Sequence, residues 1–384
     1  MSENRAKTKI CIIRSNPVNP DSRVEKEACA LKKAGFDVHI LAWDRDTDEL
    51  ECDGVVCVAD ESIPITRLGH KASYGEGFKN IFAYLAFQKH QRSWLKKQDF
   101  DIIHSCDFDT AFFSRGIAAR KRCRFVFDIF DFLYDRPANF MQRCVKRAQI
   151  RLINSADATI ICSEERIFQI SGSRPKNLTV IHNTPPPMQA EGMQLPDSGR
   201  LRLVYVGVLQ EHRLLCEIME AVSRRGDMEL HIGGFGKLEN CARQMAREHD
   251  NIFFYGRTAY KDTLALEQSC DIMLAVYDPC VPNHRYAAPN KFYEGLMLGK
   301  PLIMVKNTGM AEHVGQLDIG AVVDYTPEAV LQAALELKNR RGEWGNISDR
   351  AQKLYRERFS WSEMEKRLVK LYLELSDEKD TDSK

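Results

Sequence analysis

The sequence predicts an α/β fold in two domains, each with a parallel sheet. Three observations carry this. A chain of 384 residues, 44% of them hydrophobic, exceeds what one core usually organises and suits two cores of ordinary size. Short apolar runs alternate with helical patterns from Lys9 to Phe359, which is the order of parallel strands covered by helices. Between these series the periodicity stops, from Thr184-Pro185-Pro186-Pro187 to Pro196-Asp197-Ser198-Gly199, and this proline-rich stretch reads as a linker. The expected boundaries are a first domain over 1–184, a linker over 185–200 and a second domain over 201–359.

In the first domain, Lys9 to Arg14 reads as a strand, Ser15 to Pro20 as a turn-rich loop, and Asp21 as the N-cap of a helix ended by Gly35. Val24, Ala28 and Leu31 follow helical spacing, and Phe36 to Trp43 is the next strand. Ligands of such sheets sit at the carboxyl ends of strands, which places Asn16 and Arg23 near a site; Arg23 could equally pair with Glu27 one turn along its helix. Val55 to Ala59 and Pro64 to Thr66 are short strands, and a long helix is expected from Tyr74 to Lys97. Phe100 to His104 is a strand that delivers Asp107 and Asp109 at its end, with Asp109 read as a helix cap rather than a metal ligand. Phe125 to Ile129 delivers Asp128 and Asp131 in the same way; a helix over Arg136–Asn154 and strands at Asp157–Cys162 and Asn177–Ile181 close the domain.

The second domain opens with a strand at Leu203–Val206 ending in Gly207, then a helix over Glu211–Arg225. Glu229 to Ile232 leads into Gly233-Gly234-Phe235-Gly236; Glu239 stands where a dinucleotide fingerprint needs its third glycine, so a nicotinamide cofactor is disfavoured. Strands at Ile252–Tyr255 and Asp271–Tyr277 follow. Gly309 to Glu312 opens a helix, Ala321 to Val323 is a strand, and helices are expected over Pro327–Arg340 and Asp349–Phe359. A last helix, 360–377, is announced by Ser360 and Glu363 at capping-box spacing, and Glu378–Lys384 reads as a frayed charged tail.

The most informative stretch is Pro289-Asn290-Lys291-Phe292-Tyr293-Glu294-Gly295-Leu296-Met297-Leu298-Gly299-Lys300-Pro301. Proline suits a helix start, Gly299 suits the left-handed position past its end, and Pro301 stops it before the apolar strand Leu302–Val305. Lys291 in the first turn opposes the helix dipole unless an anion is close by, and Glu294 can accept hydrogen bonds from two vicinal hydroxyls. Cation for phosphate and carboxylate for sugar suggest a nucleotide; an ordinary helical ion pair is the plain alternative.

This stretch resembles the nucleotide-sugar signature of the family 4 retaining glycosyltransferases, of the polysaccharide and glycolipid biosynthesis type. The similarity extends through the asparagine-bearing loop at Asn16, Asp21-x-Arg23-Val24, Lys32-Lys33-Ala34-Gly35-Phe36-x-Val38 and Asp101-x-x-His104. It implies the GT-B fold, two Rossmann-like domains facing across a cleft, with the last helix crossing back to the first domain. It further implies a nucleoside diphosphate sugar as donor, a glycan or lipid-linked acceptor on the first domain, retained configuration, and no metal or cofactor. Glu294, Lys291, Asn290, Arg213, Gly207, Arg257, Asn283 and Tyr286 would then bind the donor, with Asn16, Arg23, His104 and Asp107 on the acceptor side. The chain departs from the pattern at four places. Val208 and Leu214 replace the arginine and lysine that relatives set on the phosphates, leaving Arg213 and Lys291 as catalytic cations. Phe130 replaces a histidine, so Asp128 or Asp131 would take over its contacts unless this branch dispenses with them. Tyr286 replaces the acid expected eight residues before Glu294. These departures keep two rivals open, a nucleotide-sugar epimerase of the same fold and a non-catalytic subunit that binds a nucleotide sugar.

Composition narrows the partners. With 55 basic and 54 acidic residues the net charge is +1, which disfavours nucleic acid. Twelve cysteines without C-x-x-C spacing suggest a reducing cytoplasm, and no run of 18 apolar residues suggests a membrane span. His182 reads as a hydrogen-bonding hinge group. On the helix 78–97, Lys89, Arg92 and Lys96 form a basic stripe opposite Phe87 and Trp94, a pattern suited to an anionic membrane surface at the inner face of the cell membrane, or to a helix packing those two aromatics inward.

Overall fold

Buried parallel strands read as short continuous apolar runs, and the chain uses them to build two separate sheets. The structure is a computed structural model that describes residues 7–72, 80–188 and 190–382, with the backbone alone from 378 on. One unit comprises the chain up to His182 together with Met364 onwards; the other is Asn183–Glu363.

The first unit carries β1 (Lys9–Arg14), β2 (Asp37–Asp44), β3 (Cys52–Val58), β4 (Glu61–Gly69), β5 (Ile102–Cys106), β6 (Arg124–Ile129), β7 (Ala158–Ile161) and β8 (Leu178–Val180). They form one sheet in the order β3-β4-β2-β1-β5-β6-β7-β8, parallel throughout except for the β3–β4 hairpin. Its helices are α1 (Ser22–Lys33), α2 (Ile81–Lys97), α3 (Asp107–Lys121), α4 (Phe140–Ser155) and α5 (Arg166–Gln169). Asp21 caps α1 by accepting the Val24 N–H. The second unit carries β9 (Leu201–Val208), β10 (Met228–Phe235), β11 (Ile252–Gly256), β12 (Ile272–Ala275), β13 (Leu302–Val305) and β14 (Gly320–Val323), all parallel, in the order β11-β10-β9-β12-β13-β14. Its helices are α6 (Leu215–Ser223), α7 (Glu239–Glu248), α8 (Tyr260–Ser269), α9 (Asn290–Leu298), α10 (Ala311–Gln316), α11 (Pro327–Asn339) and α12 (Trp344–Leu354). The final helix, α13, runs over Trp361–Asp382, past the expected start of the frayed tail. In both sheets the strand order reverses beside the first strand, between β1 and β5 and between β9 and β12, and such reversals open a crevice at the carboxyl ends.

Several expectations shift. The helix expected from Tyr74 lies outside the described residues up to 79, and α2 is described from Ile81. Phe87 and Trp94 point inward: Phe87 stacks on Trp43 at 4.8 Å between centroids, and Trp94 packs on Phe100 at 5.9 Å. They are core residues because β2 and β5 need cover on this face. Asp109 is not a cap, since α3 already starts at Asp107.

Arg23, His104 and Asp128 were expected beside substrate, and the structure corrects this by burying all three in the first unit. Arg23 donates to both oxygens of Asp128 (2.8 and 3.3 Å) and to the Ile181 carbonyl oxygen (2.7 Å), and lies 3.1 Å from Glu27. Burial would raise Asp128, but Arg23 and His104 outweigh it and hold this carboxyl below the ordinary carboxylate range. Burial, reinforced by the Asp128 charge, pushes Glu27 well above that range, so Glu27 carries a proton. The junction thus balances one guanidinium against one carboxylate. His104 completes it, with Nδ1 2.6 Å from the Tyr372 hydroxyl of α13 and Nε2 3.4 Å from Asp128. Three elements of the first unit and its C-terminal helix meet at these side chains, which explains their identities without a substrate.

Because the charge balance rests on Arg23 and Asp128, Arg23→Met should cost about 3–5 kcal/mol by stranding a buried carboxylate. Glu27→Gln, which replaces a group already neutral, should cost under about 1 kcal/mol. Urea unfolding of both variants checks this; equal losses would contradict the protonation assigned to Glu27.

Candidate functional site

At the carboxyl ends of β9 and β12, side chains of the second unit enclose a cavity of about 390 Å³. Helix α9 points into it. Pro289 sets its start with φ −73°, and Gly299, at φ 68°, ends it. The Lys300 N–H reaches the Gly295 carbonyl oxygen (2.9 Å) and the Gly299 N–H that of Leu296 (3.2 Å), the crossed pair of a Schellman end. Phe292, Tyr293 and Leu296 are fully buried, so the helix is fixed by packing on three sides.

That packing also buries Lys291, which is only 7% exposed. Among the described residues its ammonium makes no hydrogen bond or ion pair; its Nζ lies 4.4 Å from the Tyr205 ring centroid. Burial alone would lower this group, but the neighbouring phenols of Tyr205 and Tyr277 and the Glu294 carboxyl outweigh it and hold it above the ordinary lysine range, so it stays charged. Gly207 makes the room: a Cβ there would stand 2.6 Å from Lys291 Nζ. Gly234, from the Gly-Gly-Phe-Gly stretch, lies against Gly207 so closely that a Cβ would run into the Gly207 carbonyl oxygen. Its φ of 131° also excludes other residues.

Arg213 comes from the loop after β9. The expected helix from Glu211 starts only at Leu215, because His212 and Leu214 adopt left-handed backbone, φ 63° and 56°. Two such residues around one arginine are costly, of order 1–3 kcal/mol each, and fix its direction. Its guanidinium lies 4.1 Å from the Tyr277 ring centroid, and Nη1 donates to His284 Nε2 at 2.7 Å. His284 Nδ1 donates to the Asp278 carbonyl oxygen at 2.9 Å, which leaves Nε2 as the acceptor. Burial holds His284 below the ordinary histidine range against the pull of the Asp278 carbonyl, with the Arg213 charge assisting, so the imidazole remains neutral.

Glu294, 5% exposed, hydrogen-bonds Tyr260; burial and this carboxyl push the Tyr260 phenol far above its usual range. Behind them Glu267 is fully buried with neither oxygen hydrogen-bonded. Burial, then the Glu294 charge, raises it well above the carboxylate range, so it holds a proton and is no counter-ion for Lys291. Arg257 lies 4.7 Å from the Phe235 ring centroid at the cavity rim.

Gly207, Arg213, Arg257, Asn290, Lys291 and Glu294 therefore share one cavity. Asn283 and Tyr286 do not line it; they sit on the 3-10 turn Pro282–Tyr286, whose contribution is His284. Sequence reasoning missed Tyr205, Tyr277 and Tyr260 as site residues. The signal lay in tyrosines at or just beyond the carboxyl ends of apolar strands, where an aromatic ring is free to face a ligand.

In the first unit, the Asn16 side chain is spent locally, donating to Asp21 (2.8 Å) and accepting the Val18 N–H (2.8 Å). Asp107 accepts from Arg14 at 2.6 Å and from the backbone N–H groups of Phe130 and Asp131 at 2.9 and 3.0 Å. It builds the turn after β6 instead of reaching outward. Phe130 lies between the guanidiniums of Arg14 and Arg23, 4.3 and 4.6 Å from its centroid. Asp131 is the one predicted carboxylate there that is exposed, with Arg166 at 3.3 Å. His104, Cys106 and Asp128 offer ligand atoms within 4.8 Å of one another, but Arg23 and Tyr372 already occupy this trio. His182, also buried, lies 2.9 Å from Glu164.

Comparison with known proteins agrees with this geometry. Residues 20–184 match the glycosyl transferase 4-like domain and residues 200–340 the glycosyl transferases group 1 model. Among solved structures, sucrose-phosphate synthase from Thermosynechococcus elongatus superposes with a TM-score of 0.75 at 14% identity, covering 97% of this chain and 100% of that one. Anabaena HepE in complex with UDP and glucose gives 0.68 at 12% identity, covering 96% and 100%. The lipopolysaccharide outer core galactosyltransferase WaaB gives 0.60 at 15% identity, covering 97% and 100%. Comparison with curated proteins gives no match. With both halves matched by family models and the fold shared along its length, the chain belongs to the GT-B glycosyltransferases, with a glycosyl transferase 4-like first half and a group 1 second half.

Proposed function

We propose that the protein transfers a sugar from a nucleoside diphosphate sugar to a glycan or lipid-linked acceptor, with retained configuration. The observation that carries the donor class is Lys291, a buried ammonium without an ion pair among the described residues, in one cavity with Arg213 and Glu294. The bond from the anomeric carbon to the diphosphate breaks, the acceptor oxygen bonds to that carbon and gives its proton to the departing phosphate oxygen, and the nucleoside diphosphate leaves. Charge grows on the leaving phosphate, and Lys291, Arg213 and the start of α9 are the groups that meet it. These cations serve without a metal or cofactor in this reading. Glu294 takes the ribose hydroxyls, displacing Tyr260, while Arg257 borders the base and Asn290 the sugar. Support comes from HepE, solved with UDP and glucose. A non-catalytic binding role is the second reading, favoured by Phe130, whose ring is held between two arginines and offers no polar contact.

The acceptor side is proposed to meet an anionic membrane through α2, by side chains other than the buried Phe87 and Trp94. Phe82 is 82% exposed, with Ile81, Leu85 and Phe112 of α3 also facing out. Lys89, Arg92 and Lys96 line an adjoining cavity of about 420 Å³ with Leu85 and Phe113. Apolar side chains beside three cations suit a headgroup boundary, at roughly 1 kcal/mol per basic residue.

Incubation with a panel of nucleotide sugars tests the function: slow release of free nucleoside diphosphate is expected for one donor, a changed sugar on intact nucleotide would indicate an epimerase, and binding without turnover the second reading. Glu294→Gln should weaken nucleotide binding by about 1.5–3 kcal/mol, because an amide accepts at one end only; unchanged affinity in calorimetry for both UDP and GDP would remove Glu294 from the site. Sedimentation with anionic vesicles at low salt should retain the protein and lose it when Phe82 and Leu85 become Ser or the three cations become Gln. Retention by both variants would exclude this surface.

A further inference from the structure

The two helices that follow the donor-side loops carry cysteines facing each other. Cys216 on α6 and Cys241 on α7 hold their sulfurs 3.4 Å apart, within reach of a hydrogen bond between thiols. Both are free, and both are partly buried against the core of the second unit. The loops that lead into these helices are stitched together. Leu209 donates to the Phe235 carbonyl oxygen at 2.8 Å, and Leu238 donates to that of Leu209 at 3.1 Å. Arg213 lies one helical turn before Cys216, held by left-handed residues on either side. Anything that moves the first turn of α6 therefore moves Arg213.

We propose that Cys216 and Cys241 form an oxidation site, closed to a disulfide by a hydroperoxide, and that this bond displaces the Arg213 loop. The effect on donor binding rests on the donor reading given above. A disulfide needs its sulfurs about 2.05 Å apart, so the two sulfurs must close by roughly 1.3 Å, and the first turns of α6 and α7 supply whatever the side-chain torsions do not. Burial, then the hydrogen bond with Cys241, pushes the Cys216 thiol up to about 12. The thiolate of one cysteine attacks one oxygen of hydrogen peroxide, forming a sulfenic acid and releasing water once the departing hydroxide takes a proton. The other thiol then attacks the sulfenic sulfur, its proton leaving with the hydroxyl as a second water. The thiols lose two electrons and the peroxide gains them. A misplacement on the order of 1 Å at an oriented cation can cost up to a hundredfold, and about tenfold weaker nucleoside diphosphate binding is expected here.

The full chain is treated with hydrogen peroxide, thiols are blocked, and unreduced peptides are mapped by mass spectrometry. A cross-link between the peptides of Cys216 and Cys241 is expected, absent in Cys216→Ser and reversed by dithiothreitol. Oxidation of the exposed Cys57, Cys144 and Cys280 with this pair still reduced would overturn the proposal. Hydrogen exchange across 208–214 should differ between reduced and cross-linked protein, and identical exchange would overturn the displacement. UDP and GDP are titrated into both forms. Cross-linked protein that binds either as tightly as reduced protein would refute the coupling while leaving the donor reading intact. Failure of reduced protein to bind either would contradict the donor reading, with cross-link and displacement still judged by mass and exchange.

Discussion

Burying an ammonium without a hydrogen-bonded anion is the constraint on which the second unit depends. Removing a charge from water costs several kcal/mol even after relaxation, and a fold meets that cost only where something is gained. Around Lys291 the protein supplies partial relief: the face of Tyr205, a nearby carboxyl at Glu294, and no carboxylate close enough to neutralise the charge outright. Glu267 could have done so and is instead kept protonated. Gly207 and Gly234 bring two backbone segments close together, and the ammonium lies directly against Gly207 in the cavity wall. In the proposed reading, the phosphates of the donor supply the anion.

The first unit handles charge in the opposite way. Arg23, Asp128 and His104 satisfy one another and tie three elements and α13 together, while Asp107 organises a turn. These groups hold the scaffold in place, and a similar inventory of ionisable residues lines a cavity in one unit and serves architecture in the other. The difference is whether the polar partners come from the protein. Where they do, ligand chemistry has nothing to work on.

Much of this was legible locally. The bounds of α9 follow from Pro289, Gly299 and Pro301, whose backbone preferences hold in any context, and Lys291 and Glu294 follow from their positions on it. Arg213 could be found as the cation of its loop, but not its left-handed flanks, since neither His212 nor Leu214 favours that conformation by itself. Tyr205 and Tyr277 come from strands whose register decides which ring meets which cation, and register is set by pairing across the sheet. The errors share one cause. Arg23, His104 and Asp128 stand at or near strand ends or on a helix beside them, where ligands usually bind, and only tertiary burial shows that they face inward. For Phe87 and Trp94 helical spacing left two readings, a membrane-facing side or inward packing, and burial decides for the second.

The most direct test compares thermal unfolding of the wild type and Lys291→Met with increasing UDP or GDP. A ligand that binds only the folded state raises its stability by RT ln(1 + [L]/Kd), about 2.7 kcal/mol at a hundred times Kd. Without nucleotide the variant should be as stable as the wild type or more so, by up to about 2 kcal/mol, since an uncompensated buried charge has become an apolar side chain of similar length. With nucleotide the wild type should rise and the variant should not. A variant that is destabilised without ligand and still rises with it in full would show that Lys291 serves the fold and not a phosphate.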